Sequence, residues 1–336
     1  MDGLEILPVH GIGDVTAGDD LAELITRNAP WLRDGDVLVV TSKIVSKAEG
    51  RLVEVPADGP ERDAARAEVL AAETRRVVAR RGATAIVQTH HGFVMAAAGI
   101  DASNVDKTHL VLLPSSPDDS ARRLRADLAA RGLQVGVIVS DTMGRTWRNG
   151  LTDVALGAAG IEPFRDHRGE IDPYGNELQL TQMAVIDELA AAGELVKGKC
   201  DQVPVAVVRG YPGAGTAETP GADVLLRDAA SDMFSLGTAE AHAEGLRTAA
   251  TLPESATDEP AGAEAVQRAI TTAGLDGVVA VPSPQTLRCT ATDTTPAALM
   301  RFGADVQRLR AALAAEGLVS AVAYDETGAT IAVSAA

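Results

Sequence analysis

Three short segments carry residues whose types and spacing suit the handling of phosphate and metal. The first, Thr41-Ser42-Lys43-Ile44-Val45-Ser46-Lys47, directly follows the apolar run Val37-Leu38-Val39-Val40. A helix starting there makes Ser42 its N-cap and leaves backbone N–H groups free for phosphate oxygens. Lys43 and Lys47 are four apart, so both project on one side of that helix. The same residues also fit an ordinary capped helix with surface lysines. In the second segment, Ser140-Asp141-Thr142 ends the strand-like run 135–139. A carboxylate and a hydroxyl at a strand's C-terminal edge suit Mg²⁺ held together with substrate phosphates. A helix N-cap is the simpler reading of that spacing. Just downstream, Arg145 and Arg148 flank Trp147; they are forked donors for an anion, or neighbours of a core tryptophan. The third segment, Gly99-Ile100-Asp101-Ala102-Ser103-Asn104, puts a carboxylate and an amide in a turn, although Asp, Ser and Asn are common turn residues in any case.

Several familiar motifs are missing. No G-x-x-x-x-G-K-[ST] loop occurs, and Gly11-Ile12-Gly13 lacks the third glycine of a dinucleotide loop. There is no G-x-S-x-G elbow and no H-E-x-x-H helix. His90 and His91 are adjacent, and neighbours on a strand point to opposite faces, which argues against a shared metal.

The elements that must position these residues alternate between strand and helix. Leu21, Leu24 and Ile25 share a helical face, with Asp19 and Asp20 in its first turn. The stripe Ala67, Leu70, Thr74 and Val77 predicts one helix over 61–81, ending at Gly82 with Arg75, Arg76, Arg80 and Arg81 in its last turn. Strands are expected at 85–88, 93–97, 110–113, 135–139 and 205–208, with a helix over 118–131. Residues 251–262, rich in Pro, Glu and Asp, read as a solvated linker between a main domain, 1–250, and a small α/β module, 263–336. In that module Leu299, Phe302, Val306, Leu309 and Leu313 form a strong helix stripe. A closing hairpin of 318–324 and 330–334 follows.

Composition narrows the class. The chain has 336 residues, 46% hydrophobic and 23% charged, which is enough to form a core. Thirty Lys and Arg against 47 Asp and Glu give a net charge of −17. That balance argues against nucleic acid and anionic membranes as partners. Local cations or a metal could still gather an anionic small substrate. Two cysteines cannot build a disulfide framework. No leader pattern or bilayer-length apolar run is present, so a cytoplasmic protein is expected.

The strings LPVHGIGDV, WLRDGDVLVVTSKIVSKAEGR, AAAGIDASNV, VSDTMGRTWRNGLTD, DPYGNEL and PVAVVRG resemble the coenzyme F420-0:L-glutamate ligase family, in the family's order. The resemblance runs from about Leu4 to about Gly245. It implies an intertwined, mixed-sheet α+β fold, a homodimer, and GTP-dependent addition of L-glutamate to the deazaflavin precursor coenzyme F420-0, followed by further γ-linked glutamates. It also implies a divalent metal, Mg²⁺ or Mn²⁺, and leaves room for a monovalent cation. Carried over by motif, Ile12, Gly13, Asp14, Val15, Ser42, Lys47 and Asn104 contact GTP, and Asp101, Asp141 and Thr142 hold the metal. No catalytic base is assigned. Arg145 and Arg148 are the candidates for binding substrate carboxylates or phosphate. Some members carry a long C-terminal nitroreductase-like domain. Residues 263–336 are shorter than a typical ~100–150-residue domain, so FMN is not expected. This chain also has Gly13-Asp14-Val15 where relatives often have a proline and a glutamate. Two other readings stay open: a GTP-dependent amide ligase acting on another acidic acceptor, and a non-catalytic nucleotide-binding scaffold.

Overall fold

The computed structural model describes residues 3–103, 105–199, 201–215, 218–275, 278–283, 285–326 and 328–336. It divides into two compact units, Met1–Ser235 and Leu236–Ala336. The first runs β1 (Glu5–Pro8), α1 (Leu21–Asn28), β2 (Val37–Thr41), α2 (Ser42–Ala48), β3 (Leu52–Glu54), α3 (Gly59–Ala72), β4 (Thr74–Arg81), β5 (Thr84–Thr89) and β6 (Val94–Ala96). It continues with β7 (His109–Val111), α4 (Pro117–Ala130), β8 (Gly136–Arg145), β9 (Arg148–Ala159), β10 (Phe164–Asp166), β11 (Gln182–Ala184), α5 (Val185–Lys197) and β12 (Val205–Arg209). The architecture is α+β.

A five-stranded mixed sheet, ordered β1-β12-β2-β8-β9, is the frame of this unit. Only β2 and β8 run parallel. Successive residues of a strand face opposite sides. Leu38, Val40, Val137 and Val139 accordingly pack into one core with Ile25, Leu124 and Leu128 from α1 and α4. Val37, Val39 and Ile138 enter another with Ile186 and Leu189 of α5. Covered on both faces, β2 needs an unbroken apolar run, and Val37-Leu38-Val39-Val40 supplies it. Two glycines permit the close approach of helices. A Cβ at Gly193 would lie 2.9 Å from the Val39 side chain, and one at Gly157 would lie 2.2 Å from backbone atoms of Pro117.

An ion pair fastens β12 to the start of β2. Arg209 donates from Nε and Nη2 to the two oxygens of the buried Asp36, each at 2.8 Å. The backbone N–H of Arg33 adds a bond to Asp36 at 2.9 Å. Replacing Arg209 with methionine strands that carboxylate, with an expected loss of about 3 to 5 kcal/mol. A urea denaturation midpoint matching wild type would contradict this.

The helix expected over 61–81 ends at Ala72. The rest, β4, pairs antiparallel with β5. Thr74, Val77 and Val78 fit a pleated sheet better than a helix interior, and the partner strand decides. Arg75, Arg76, Arg80 and Arg81 therefore lie along a strand, not at a helix end.

The second unit contains α6 (Thr238–Ala250), α7 (Ala263–Ala273), β13 (Val278–Ser283), β14 (Thr286–Ala291), α8 (Pro296–Ala315), β15 (Leu318–Asp325) and β16 (Gly328–Ala335). Its sheet, ordered β13-β14-β16-β15, is antiparallel throughout. The division between units falls ahead of the boundary expected at 250. Helix α6 packs on α8, and Gln307 Nε2 donates to the Ala249 carbonyl at 2.7 Å. The segment 251–262 is mostly exposed, as a linker would be, yet it is tied down within this unit. Arg310 Nη2 donates to the Pro253 carbonyl at 2.9 Å, and the Thr257 N–H donates to Ser334 Oγ at 2.8 Å. Among the described residues no helix is long and apolar enough to cross a membrane.

Candidate active site

The cleft opens where the parallel pair ends. Thr41 and Ser140 are register partners at that end of β2 and β8, the edge at which open α/β sheets take ligands. Helix α2 leaves β2 with Thr41 as its N-cap residue, still extended, and Thr41 makes no side-chain capping bond. Ser42, expected as the cap, is instead the first helical residue and is buried. β8 does not stop at Val139. It runs on to Arg145 because β9 pairs along it, with Asp141 opposite Val154 and Thr142 opposite Asp153. Ser140-Asp141-Thr142 is therefore strand, not a helix cap. A register shift between Val139 and Ser140 marks a bulge just before the acidic residue, a device common beside active sites.

The cleft encloses about 1240 Å³. That exceeds the ~300–1,000 Å³ usual for one small ligand, so it has room for several substrates. Gly13, Asp14, Val15, Lys47, Asp101, Asp141 and Thr142 all line it, from four separated stretches of chain. Gly11 and Gly13 hold positive φ, +84° and +75°, which bends the loop. The Ile12 and Val15 side chains anchor that loop in the core. Lys43 and Lys47 engage different carboxylates. Lys47 Nζ lies 2.7 Å from Asp14 Oδ1, and Lys43 Nζ lies 2.5 Å from Asp101 Oδ2 and 2.8 Å from Ser103 Oγ. Ile12 and Ser42 are buried beneath the lining, and Asn104 lies outside the described residues. Arg145 and Arg148 face each other at the exposed end of the β8–β9 hairpin, outside the lining. His90 and His91 each bond a backbone carbonyl through Nε2, those of Ala72 and Ser115.

The electrostatics of the cleft are uneven. Asp141 is pushed up to about 6, first by burial and then by the negative charges of Asp153 and Asp101; the N–H of Thr142 opposes this. Burial would also raise Asp101, but Lys43 and Ser103 outweigh it and hold that carboxyl below its ordinary value. Asp14 is lowered chiefly by its bond from Lys47. Among the described residues no three His, Cys, Asp or Glu side chains converge as a ready-made metal cluster. The donor set still fits a hard divalent cation. Mg²⁺ is typically held by one or two carboxylates plus substrate phosphates. Asp141 sits where negative charge is locally in excess and accepts the backbone N–H of Thr142 at 2.9 Å, and Thr142 lines the same cleft.

Asp153, Glu194, Lys197 and Lys199 were not anticipated from sequence, yet they form one bonded cluster that reaches Thr142 through Asp153 and Lys199. Thr142 Oγ1 donates to Asp153 Oδ1 at 2.7 Å and accepts from Lys199 Nζ at 2.5 Å. Lys199 also pairs with Glu194 at 2.7 Å. One signal was available. The buried face of α5 runs Ile186, Ala190, Gly193, Lys197, so a lysine falls on an apolar stripe.

Comparison with known proteins gives this geometry a class. A family model described as F420-0:Gamma-glutamyl ligase matches residues 11–210. The coenzyme F420:L-glutamate ligase of Methanothermobacter thermautotrophicus is 41% identical over 250 residues, covering 69% of this chain and 99% of that protein. The protein of the same name from Methanopyrus kandleri is 39% identical over 246 residues, covering 69% and 97%. That from Halobacterium salinarum is 44% identical over 223 residues, covering 60% and 85%. These likenesses place the chain among ligases. The chain belongs to the F420-0:gamma-glutamyl ligase family.

Proposed function

We propose that this protein uses GTP to add L-glutamate, and then further γ-linked glutamates, to coenzyme F420-0. The observation that carries the reading is the single cleft in which Asp101, Asp141, Thr142, Lys47 and the Gly13–Val15 loop meet, in a chain of this ligase family. A carboxylate resists attack by an amine because it has no good leaving group. Transfer of the γ-phosphoryl group of GTP to a carboxylate oxygen, with loss of GDP, gives an acyl phosphate. The glutamate nitrogen then attacks the acyl carbon, phosphate leaves, and the nitrogen gives up a proton to complete the amide. Such transfer depends mainly on positioning and charge neutralisation. Lys47 and the N–H groups of the Gly13–Val15 loop would steady the phosphates. Asp101, Asp141 and Thr142 would hold Mg²⁺ or Mn²⁺, which when bound neutralises phosphate charge. A homodimer in the cytoplasm is the expected setting.

Mass spectrometry of coenzyme F420-0 incubated with the protein, L-glutamate, GTP and Mg²⁺ or Mn²⁺ tests this directly. Gains in whole glutamyl masses, dependent on GTP and metal, are expected. GTP binding without any mass gain would sink the proposal in favour of another acceptor or a binding role.

Two smaller effects follow. Only ionised Asp141 can ligate a cation, and its carboxyl titrates near 6. Mn²⁺ affinity is therefore level above that pH and falls about tenfold per unit below it, where a proton competes. A titration by electron paramagnetic resonance that finds the same affinity at pH 5 and pH 7.5 would contradict this. Lys47→Met should weaken GTP binding by roughly tenfold or more, the ~1.5–3 kcal/mol of a charge-assisted bond. Calorimetry showing wild-type affinity would remove Lys47 from the nucleotide site.

A further inference from the structure

Lys197 has the largest side chain among the fully buried residues. An ammonium taken out of water needs a full set of partners, and Lys197 has one. Its Nζ donates to Asp153 Oδ2 at 2.9 Å, Ser140 Oγ at 3.0 Å and Thr41 Oγ1 at 3.3 Å, with Glu194 Oε2 also 3.3 Å away. Thr41 ends β2 and Ser140 is its register partner in β8, where the parallel pairing stops, so one ammonium ties both strands to α5.

The more consequential link passes through Asp153. This carboxylate is itself buried and spends Oδ2 on Lys197 and on the Ser140 hydroxyl, at 2.9 Å each. Its other oxygen accepts the Thr142 hydroxyl at 2.7 Å. An ionised carboxylate has no proton to give, so in this bond the hydroxyl must donate. With its proton committed to Asp153, the Thr142 oxygen offers only lone pairs elsewhere. The ammonium of Lys199, on the cleft side, takes one of them at 2.5 Å. The cleft-facing side of this oxygen is thus an acceptor for positive charge.

We propose that Lys197 is a positioning residue, which through Asp153 fixes the direction of the Thr142 hydroxyl and so turns its oxygen into a ligand for a divalent cation. This rests on the reading of Thr142 as a cation ligand. Lys197 touches neither substrate nor cation; it acts on the group that would.

A double-mutant cycle on the full-length protein tests the link, with Mn²⁺ binding in the presence of GTP read by electron paramagnetic resonance. Thr142→Val and Lys197→Met should each weaken Mn²⁺ binding by roughly 10- to 100-fold, the usual effect of losing a group that orients a ligand. The double variant should bind no more weakly than the poorer single one, because both changes disable the same oxygen. Asp153→Asn, equal in shape, enters the same cycle if Lys197→Met does not fold. A purely structural lysine would lower the melting temperature and leave the two losses multiplicative. Multiplicative losses, or wild-type Mn²⁺ affinity in folded Lys197→Met, overturn the proposal alone. Wild-type protein that binds no Mn²⁺ overturns it together with the cation reading.

Discussion

Asp141→Asn is expected to lower glutamate addition by at least about 100-fold while raising the melting temperature of the metal-free protein. The two effects have one origin. Asp141 holds a carboxyl pushed up to about 6 by burial and by the neighbouring charges of Asp153 and Asp101. Between the ordinary value of 3.8 and about 6 the folded chain keeps a proton that the unfolded chain has lost. Stability from this group is therefore complete below the lower value and declines as pH rises through the upper one. At neutral pH the ionised carboxylate is a standing cost. Asparagine has nearly the same shape and cannot ionise, so the variant escapes that decline. It also cannot neutralise a cation, so ligation fails. Thermal melts in chelator at pH 5 and pH 7.5, beside a turnover assay, separate the effects. A variant that turns over normally would remove Asp141 from the cation site. One that melts below wild type at pH 7.5 would refute the electrostatic argument.

A loss of stability as large as that of Arg209→Met is expected from Gly157→Val, above about 3 kcal/mol. A Cβ at this position would lie 2.2 Å from both the carbonyl carbon and oxygen of Pro117, and 2.7 Å from the Asp118 nitrogen. Those atoms are backbone at the start of α4, so no rotamer change can clear them. The same turn is fixed from other directions. Asp118 Oδ1 accepts the N–H of Ala158 at 2.8 Å and that of Ala222 at 2.7 Å. Making room for valine would break both bonds or lift α4 from β9. Urea unfolding followed by circular dichroism checks this, and a midpoint near wild type would mean that α4 slides freely on β9.

Much of the frame was legible in the residues. Four consecutive apolar residues at 37–40 read as a buried strand on length grounds, and they form one. Lys43 and Lys47, which fitted a phosphate cradle or an ordinary surface helix equally, both line the cleft beside it. Asp101, Asp141 and Thr142 were singled out as metal donors by the family resemblance rather than by spacing, and they line that same cleft. What failed did so where a partner distant in sequence decides. Residues 74–81 carry helix-compatible Ala and Arg, and only pairing with 84–89 makes them a strand. Ser140-Asp141-Thr142 looks locally like a helix cap, until β9 zips along it. Lys197 is the harder case, because a lysine reads as surface by default. Its burial depends on acceptors from Thr41, Ser140 and Asp153, contributed by three strands of one sheet.

The parallel pairing of β2 with β8 has a kinetic consequence. β2 and β8 become neighbours only after all of residues 42–135, with their helices and smaller sheets, have been looped out between them. Closing so long a loop is entropically late, and contacts of high sequence separation fold slowly. The donors at 41–47 and 140–142 lie at the two ends of that closure, so the two sides of the cleft do not meet before it is complete. During refolding, helical signal should therefore recover ahead of nucleotide binding, and the delay between them would time the joining of β2 to β8.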